Sequence, residues 1–459
     1  MSAKLAIANL VDSRLDFYQK RKPLVEEELR DLEWLRQDFD HIESGTLQSP
    51  RDIQPFAQEA LCFGAQALVI HLPIWADPIF TVRLTTQLTL PVLLLGNNRP
   101  ETSSMVGMLG AGGALDQLGR SHVRVFDQHD EAARRQVRAF VRAAATLSQL
   151  HGQTLGLFGG RSLGIFTAMA DAAQWQRLFG VDIEFFDQLE IVDTAEALPE
   201  EEVKRFTCWL LDNVASAQFN PIFTMKAFER QMRSYIATRK LILAHGVDFV
   251  GVKCQPEMSD GYVSQCVSHM LLNSGLDADG QQPVIVHACE SDADGALSMQ
   301  ILHLISGGKP ASLLDIRWFD QASGLWALAN CGAIPAAFCA TPADPVGLAG
   351  MCLVPHVFGR GGGGALTAQV SPQRVTLARL CRKNGSYWMA IIAGAAESGS
   401  PEVTQRTTPA FPKAFIRSSA GLDFLNEFGS NHIHMVSGDF AQELVAFCRL
   451  AGIEYKLWN

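Results

Sequence analysis

The ten cysteines of this 459-residue chain include no Cys-x-x-Cys pair. That removes the zinc-ribbon and thioredoxin-type centres built on that spacing. Most of them sit in apolar surroundings and read as small core hydrophobes. No apolar run reaches the ~20 residues needed to span a bilayer. Positive charge is in deficit: 38 Lys and Arg against 48 Asp and Glu give a net charge of −10. Nucleic acid and anionic membranes are therefore disfavoured as main partners, although a local group of arginines can still bind a small anion. The glycine turn Phe158-Gly159-Gly160-Arg161-Ser162 lacks both the GxGxxG spacing and a Gly-Lys-Ser/Thr ending. It reads as a sharp strand-to-helix turn with Arg161 free for polar contacts, not as a nucleotide phosphate loop. There is no internal repeat at a fixed short period. The segment from Met1 to Leu10 has no signal-peptide layout and begins as a strand, so the expectation is a cytoplasmic protein with reduced thiols.

What the chain does have is a large core: 47% hydrophobic and 19% charged residues, at a length that suits two or three domains. Continuous apolar runs at 4–10, 67–72 and 91–96 alternate with helical patterns such as 15–40 and 130–150, the signature of a parallel sheet covered on both faces. A second such unit begins at Thr154, with a helix expected over 165–178, a strand near 180–187, helices over 197–245 and a strand at 247–252. After Asp315, glycine and proline become dense and apolar residues alternate, as in 365–370 and 386–392, which suggests antiparallel strands. An amphipathic helix from Phe440 follows. The expected fold is α/β: two parallel-sheet domains, 1–151 and 152–312, then a β-rich C-terminal domain, 313–459. The run Gly361 to Gly364 reads as a flexible loop or as a place where backbone approaches a ligand.

The chemistry concentrates in His287-Ala-Cys-Glu290-Ser-Asp292-Ala-Asp294-Gly295 and, 25 residues after Glu290, in Leu314-Asp315-Ile-Arg317. An apolar run delivers each carboxylate, and acids at the carboxyl ends of neighbouring strands are where open α/β sheets place their sites. Two hard oxygen ligands suit Mg²⁺ or Mn²⁺. Acids at strand ends also cap helices. A late His-containing segment around His432 and His434 adds a candidate third ligand.

These stretches, together with Ser430-Asn431-His432, Ser437-Gly438-Asp439, Gly160-Arg161-Ser162 and Val375-Thr-Leu-Ala-Arg379-Leu, resemble the L-fucose isomerase-like branch of the L-fucose/L-arabinose isomerase superfamily. The chain is shorter than a typical L-fucose isomerase, so the resemblance does not carry the substrate over. It implies an aldose–ketose isomerase using Mn²⁺, or another divalent cation such as Mg²⁺ or Co²⁺. Glu290, Asp315 and His432 would hold the metal, with His434 and His356 as possible further ligands. It also implies a homo-oligomer, a trimer or hexamer, in which Arg14 and Trp75 complete a neighbouring subunit's pocket. Gln255, Arg360 and Asn431 are the remaining candidate sugar contacts.

Moving a proton between C1 and C2 and another between O1 and O2 requires an acidified α-proton and two proton carriers. A divalent cation would supply the first, and the paired carboxylates Glu290 and Asp315 the second, through an enediol, with a hydride shift as the rival mechanism. The sugar would be a deoxyhexose, a pentose or the 6-sulfonated hexose sulfoquinovose; Arg14, Arg161, Arg317 and Arg360 all fall near expected site loops, and guanidinium forks suit such an anion. The alternatives are a metal-dependent lyase or aldolase using the same enediolate, and a non-catalytic sugar-binding relative.

Overall fold

The computed structural model describes residues 3–459. They fall into two compact units, one running to Ser148 and including Gln442–Leu450, the other covering Gln149–Ala441 and Ala451–Asn459.

In the first unit the strands Lys4–Leu10, Asp40–Leu47, Ala67–His71, Val92–Leu95 and His122–Val125 form one sheet. Every pairing is parallel, and the spatial order is 2-1-3-4-5. Each apolar run is buried end to end because helices cover both faces; separate clusters around Leu10, Ile70 and Leu94 and around Ile7, Val69 and Leu93 form the two sides of the core.

The second unit holds two larger sheets. Strands Thr154–Phe158, Asp182–Phe186, Phe249–Val252 and His287–Cys289 make a four-stranded parallel sheet, with His287–Cys289 at one edge. The later strands Ala311–Asp320, Leu325–Ala329, Gln373–Lys383, Ser386–Glu397, Lys413–Ser418 and His432–Ser437 pair antiparallel in a closed ring. Closure removes every sheet edge from the ring. Glu454–Trp458 adds to Ser386–Glu397 in parallel. Ile316, Leu328, Leu377, Ile392, Ile416 and Ile433 fill the interior.

Between the two sheets lies the helix Ala293–Ile305, nearly all of it buried. It packs on strands of the parallel sheet and of the ring at once, which explains why its sequence, Ala-Asp-Gly-Ala-Leu-Ser-Met-Gln-Ile-Leu, has so little polar face.

The α/β-plus-β-rich architecture is as expected from the sequence, with three local differences. The helix expected over 165–178 is a short 3₁₀ turn, Phe166–Ala168, followed by a helix Ala172–Phe179 that Asp171 caps through its side chain. Asp315 is not at the end of a strand neighbouring that of Glu290; it lies inside the ring strand Ala311–Asp320, because the apolar alternation continues through Ile316 into the barrel interior. The glycine run is neither a loose loop nor an open cradle. A Cβ at Gly359, Gly361 or Gly362 would strike the carbonyls of Ser259, Tyr262 or Ile222 at 2.5 Å, so these glycines let two backbone segments pack against each other. Among the described residues no helix is long and apolar enough to cross a membrane.

Candidate active site

Asp315 and His432 are directly paired across adjacent antiparallel strands. Residues paired this way share one face of a sheet. Their neighbours Ile316 and Ile433 point into the barrel, so alternation turns Asp315 and His432 outward. Glu290 arrives from the edge of the parallel sheet on a tight turn: Glu290 has φ +60° and Ser291 φ +53°. Two consecutive non-glycine residues in the left-handed region cost about 1–3 kcal/mol each, and such strain collects at functional sites.

The three side chains converge. His432 Nε2 lies 3.5 Å from Glu290 Oε2 and 3.5 Å from Asp315 Oδ1. Glu290 Oε2 and His432 Nε2 are buried and lack any hydrogen-bond partner. Two unsatisfied polar atoms, one a carboxylate oxygen and one an imidazole nitrogen, facing each other beside a second carboxylate are donors of the type that could hold a divalent cation. A buried polar atom left unpaired costs about 1–3 kcal/mol, so the arrangement calls for an occupant.

Behind them stands a supporting layer that the sequence reading did not assign. His432 Nδ1 bonds Asp292 Oδ2 at 2.7 Å. Asp292 also takes a two-pronged ion pair from Arg379, at 2.6 and 3.1 Å, and both are fully buried. Arg379 further donates to the Thr167 carbonyl at 2.6 Å. A carboxylate behind the far nitrogen of a ligating histidine fixes which nitrogen faces the metal and raises its basicity. Asp292 caps the buried helix as well, accepting from the Gly295 amide at 2.9 Å. Gly295 has no alternative: a Cβ there would sit 2.5 Å from Asp292 Oδ2 and 2.8 Å from His434 Nε2. The signals were present in the sequence, as an acid two residues after Glu290 and an arginine in the middle of an apolar strand, but each is interpretable only with the partner in place.

Burial pushes the Asp292 carboxyl up, but the charge of Arg379 and then His432 outweigh it and hold it far below the ordinary range. Burial raises Asp315, against the opposing pull of His432 and Arg317. On His432 burial opposes the charge, yet Asp292 and then Glu290 lift the ring to about 10. Without a cation, a proton therefore sits where the metal would bind. The consequence for stability has a definite sign. His432 is raised above its unfolded value of 6.5, so its contribution to the metal-free protein is complete below about pH 6.5 and is lost as pH rises toward 10. In chelator-treated protein, wild type should melt above His432→Asn at pH 6, and this margin should shrink steadily toward pH 10; a margin independent of pH would contradict the ion-pair assignment.

The remaining candidates separate. Around the carboxyl ends of the parallel strands a rim forms: Ser291 Oγ approaches the Gly159 carbonyl at 3.5 Å, and Ser162 Oγ donates to the Gln255 carbonyl at 3.0 Å. Gln255 and Arg161 thus belong to segments beside the Glu290 turn. Asn431 is exposed, and its carbonyl accepts from the Ile316 amide at 3.0 Å. Arg360 is exposed and pairs loosely with Asp260 at 3.4 Å. His434 is buried with both ring nitrogens unpartnered. His356 Nε2 faces thiols, with Cys266 and Cys331. In the other unit, Arg14 forks onto Asp12 at 2.9 and 2.7 Å and stacks on Phe17. Trp75 stands in the loop after Ala67–His71, half-buried, its amide bonded to the Thr102 carbonyl.

Known proteins resemble the chain in the same regions. A family model described as the L-fucose isomerase C-terminal domain matches residues 328–459, a stretch that contains Arg379 and His432. A sulfoquinovose isomerase from Alkalicoccus urumqiensis is 23% identical over 301 residues, so the match spans 62% of this chain and 64% of that protein's length. One from Clostridium sp. (strain MSTE9) is 24% identical over 414 residues, 86% of each chain. An L-fucose isomerase from Haemophilus influenzae (strain PittEE) is 22% identical over 281 residues, 54% of this chain and 47% of that one. With the parallel sheets, the closed C-terminal ring and the Glu290–Asp315–His432 convergence, these matches make the chain similar to L-fucose isomerase-like proteins, most directly over its C-terminal part.

Proposed function

We propose that this enzyme is a divalent-metal-dependent aldose–ketose isomerase acting on a 6-sulfonated hexose, with Glu290, Asp315 and His432 holding Mn²⁺ or a similar cation. The observation that carries the metal reading is the pair of buried, unpartnered atoms Glu290 Oε2 and His432 Nε2 facing each other next to Asp315. When bound, the cation would polarise the C1 and C2 oxygens of the sugar and stabilise an enediolate. The chain's own residues move the protons. One carboxylate takes the proton from C2 of the aldose and returns it to C1; the other carries the hydroxyl proton from O2 to O1, so that no atom is gained or lost. Asp315 stands beside His432 Nε2 at 3.5 Å, where its carboxylate can take part in these transfers. Asp292 and Arg379 keep the His432 ring fixed while charge shifts beside it.

The sulfonated substrate is favoured by the relatives matched over most of the chain, which bear the name sulfoquinovose isomerase, and by one arginine. Arg14, Arg317 and Arg360 are each already paired with a carboxylate, that of Asp12, Asp315 or Asp260. Arg161 stacks on Phe166 and has no carboxylate partner among the described residues. It stands on the turn beside Ser291, where its guanidinium makes only a weak contact with the Met169 sulfur at 3.9 Å and can turn to an anion. Charge-assisted hydrogen bonds contribute about 1.5–3 kcal/mol, so Arg161→Ala should raise KM for the sulfonated sugar roughly 10–100-fold while leaving any turnover of neutral sugars unchanged. An equal effect on both would reduce Arg161 to a structural residue. We also propose a homo-oligomer in which Arg14 and Trp75 reach a neighbouring subunit's site.

The test is a panel of aldoses with Mn²⁺ followed by NMR: sulfoquinovose, L-fucose, D-arabinose, L-arabinose and D-altrose. Conversion of sulfoquinovose alone supports the reading. Conversion of neutral sugars only would retain the isomerase and discard the anion. Carbon–carbon cleavage products would replace the isomerase with a lyase.

A further inference from the structure

The cysteines that the sequence leaves scattered come together in space. Cys266 opens the helix Cys266–Ser274, Cys289 ends the strand His287–Cys289, Cys331 follows the strand Leu325–Ala329, and His356 follows the strand Cys352–Pro355. All four residues are buried. The ligand atoms of Cys266, Cys331 and His356 lie within 4.8 Å of one another. Cys289 neighbours Cys331 but is not one of the three residues whose ligand atoms group this closely. All are free thiols.

Three further features point to an occupant. His356 is only 6% exposed, and its Nε2 has no hydrogen-bond partner. Its other nitrogen, Nδ1, lies 2.7 Å from the Phe358 carbonyl and 3.0 Å from the Phe358 amide, which fixes the ring. In the tautomer that donates Nδ1–H to the carbonyl, the Nε2 lone pair is free to ligate a metal. Gly332 keeps the space open: a Cβ there would collide with Cys266 Sγ and lie 3.0 Å from His356 Nε2. Cys331 itself sits on a fixed turn, because Asn330 Oδ1 accepts from the amides of Gly332 and Ala333 at 3.0 Å each.

We propose that Cys266, Cys331 and His356 form a Zn²⁺ site, separate from the Glu290–Asp315–His432 set. Two thiolates and one imidazole supply three of the four donors of a tetrahedral zinc site. Sulfur at about 2.3 Å and nitrogen at about 2.0 Å from one ion fit within the observed cluster after a small closure. The two sites sort metals by softness: thiolates select zinc, carboxylates accept manganese or magnesium. The consequence is mechanical. An ion here would tie the helix Cys266–Ser274 to the turn after Leu325–Ala329 and to the segment after Cys352–Pro355. The inference does not depend on the proposed substrate or reaction.

The test uses the full-length protein stripped with chelator, then reloaded with Zn²⁺ or Co²⁺ under reducing conditions. The Co²⁺ form should show thiolate-to-cobalt charge-transfer bands and the strong visible bands of tetrahedral cobalt, and Cys331→Ser should lose them. Cobalt bound only by carboxylates and histidine gives no thiolate bands, so the two sites are distinguished. If Cys331→Ser does not fold, the wild type still decides. Zn²⁺ reloading should slow alkylation of Cys266 and Cys331, read by peptide mass spectrometry, and leave the exposed Cys62 and Cys208 unchanged. Absence of thiolate bands in the wild type, equal alkylation with and without zinc, or a Cys266–Cys331 disulfide as the native state would each overturn the proposal.

Discussion

Glu290→Gln should lower turnover by at least about 10²–10⁴-fold, the range general acid–base catalysis supplies, with little change in secondary structure. Gln matches Glu in shape and can keep the left-handed turn at φ +60°, so the loss isolates the charge. Two functions disappear together. The unpartnered Oε2 facing His432 is no longer anionic, which weakens cation binding, and one of the two proton carriers is gone. Asp315→Asn should be similarly damaging, since Asp315 is the only other carboxylate within 4 Å of His432 Nε2 among the described residues. Combining the two variants should cost little more than either alone, because residues acting as a unit are not additive. Steady-state kinetics with the converted sugar decides this; activity of Glu290→Gln within tenfold of wild type would remove Glu290 from the site.

Arg379→Leu should destabilise the protein by about 3–5 kcal/mol, the cost of leaving a buried charge without its partner. Asp292 is fully buried and its ionised form depends first on Arg379. Without that guanidinium, Asp292 keeps only His432 and the Gly295 amide. The carboxylate that orients the His432 ring would then drift or take up a proton, and metal affinity should fall about 10–100-fold. Pairing Arg379→Leu with Asp292→Asn should recover part of the stability, because no bare charge remains, but not the affinity. Urea unfolding and a Mn²⁺ titration followed by electron paramagnetic resonance read the two effects separately. A loss of stability below about 1 kcal/mol for the single variant would mean that the pair contributes no more than an exposed surface bridge.

The sequence shows the parallel sheets clearly because buried parallel strands are continuous apolar runs, such as Ala67–His71 and Phe249–Val252. It also shows Glu290, Asp315 and His432, whose spacing and neighbours carry the family resemblance. It misplaces the route by which Asp315 reaches the site, since a single strand pattern does not say which sheet the strand joins; only the pairing of Asp315 with His432 does. It does not reveal Arg379, because an arginine in an apolar strand is interpretable only when the buried Asp292 opposite it is known. The glycine run is ambiguous for a related reason: the same residues serve a ligand cradle and a close backbone crossing, and the Ser259 and Tyr262 carbonyls decide for the crossing. The cysteines look inert in sequence because the grouping of Cys266, Cys331 and His356 is three-dimensional, arising from separate elements.

The most direct test of the central claim is turnover in D₂O by metal-stripped protein before and after Mn²⁺ is restored, with sulfoquinovose followed by ¹H and ¹³C NMR. Two carboxylates passing a proton through an enediol predict no conversion before reloading, conversion to the ketose afterwards, and solvent deuterium at the carbon that receives the proton. Conversion by the stripped protein, or conversion with no deuterium incorporated, would contradict the assignment of Glu290, Asp315 and His432 as a metal-centred proton-transfer site.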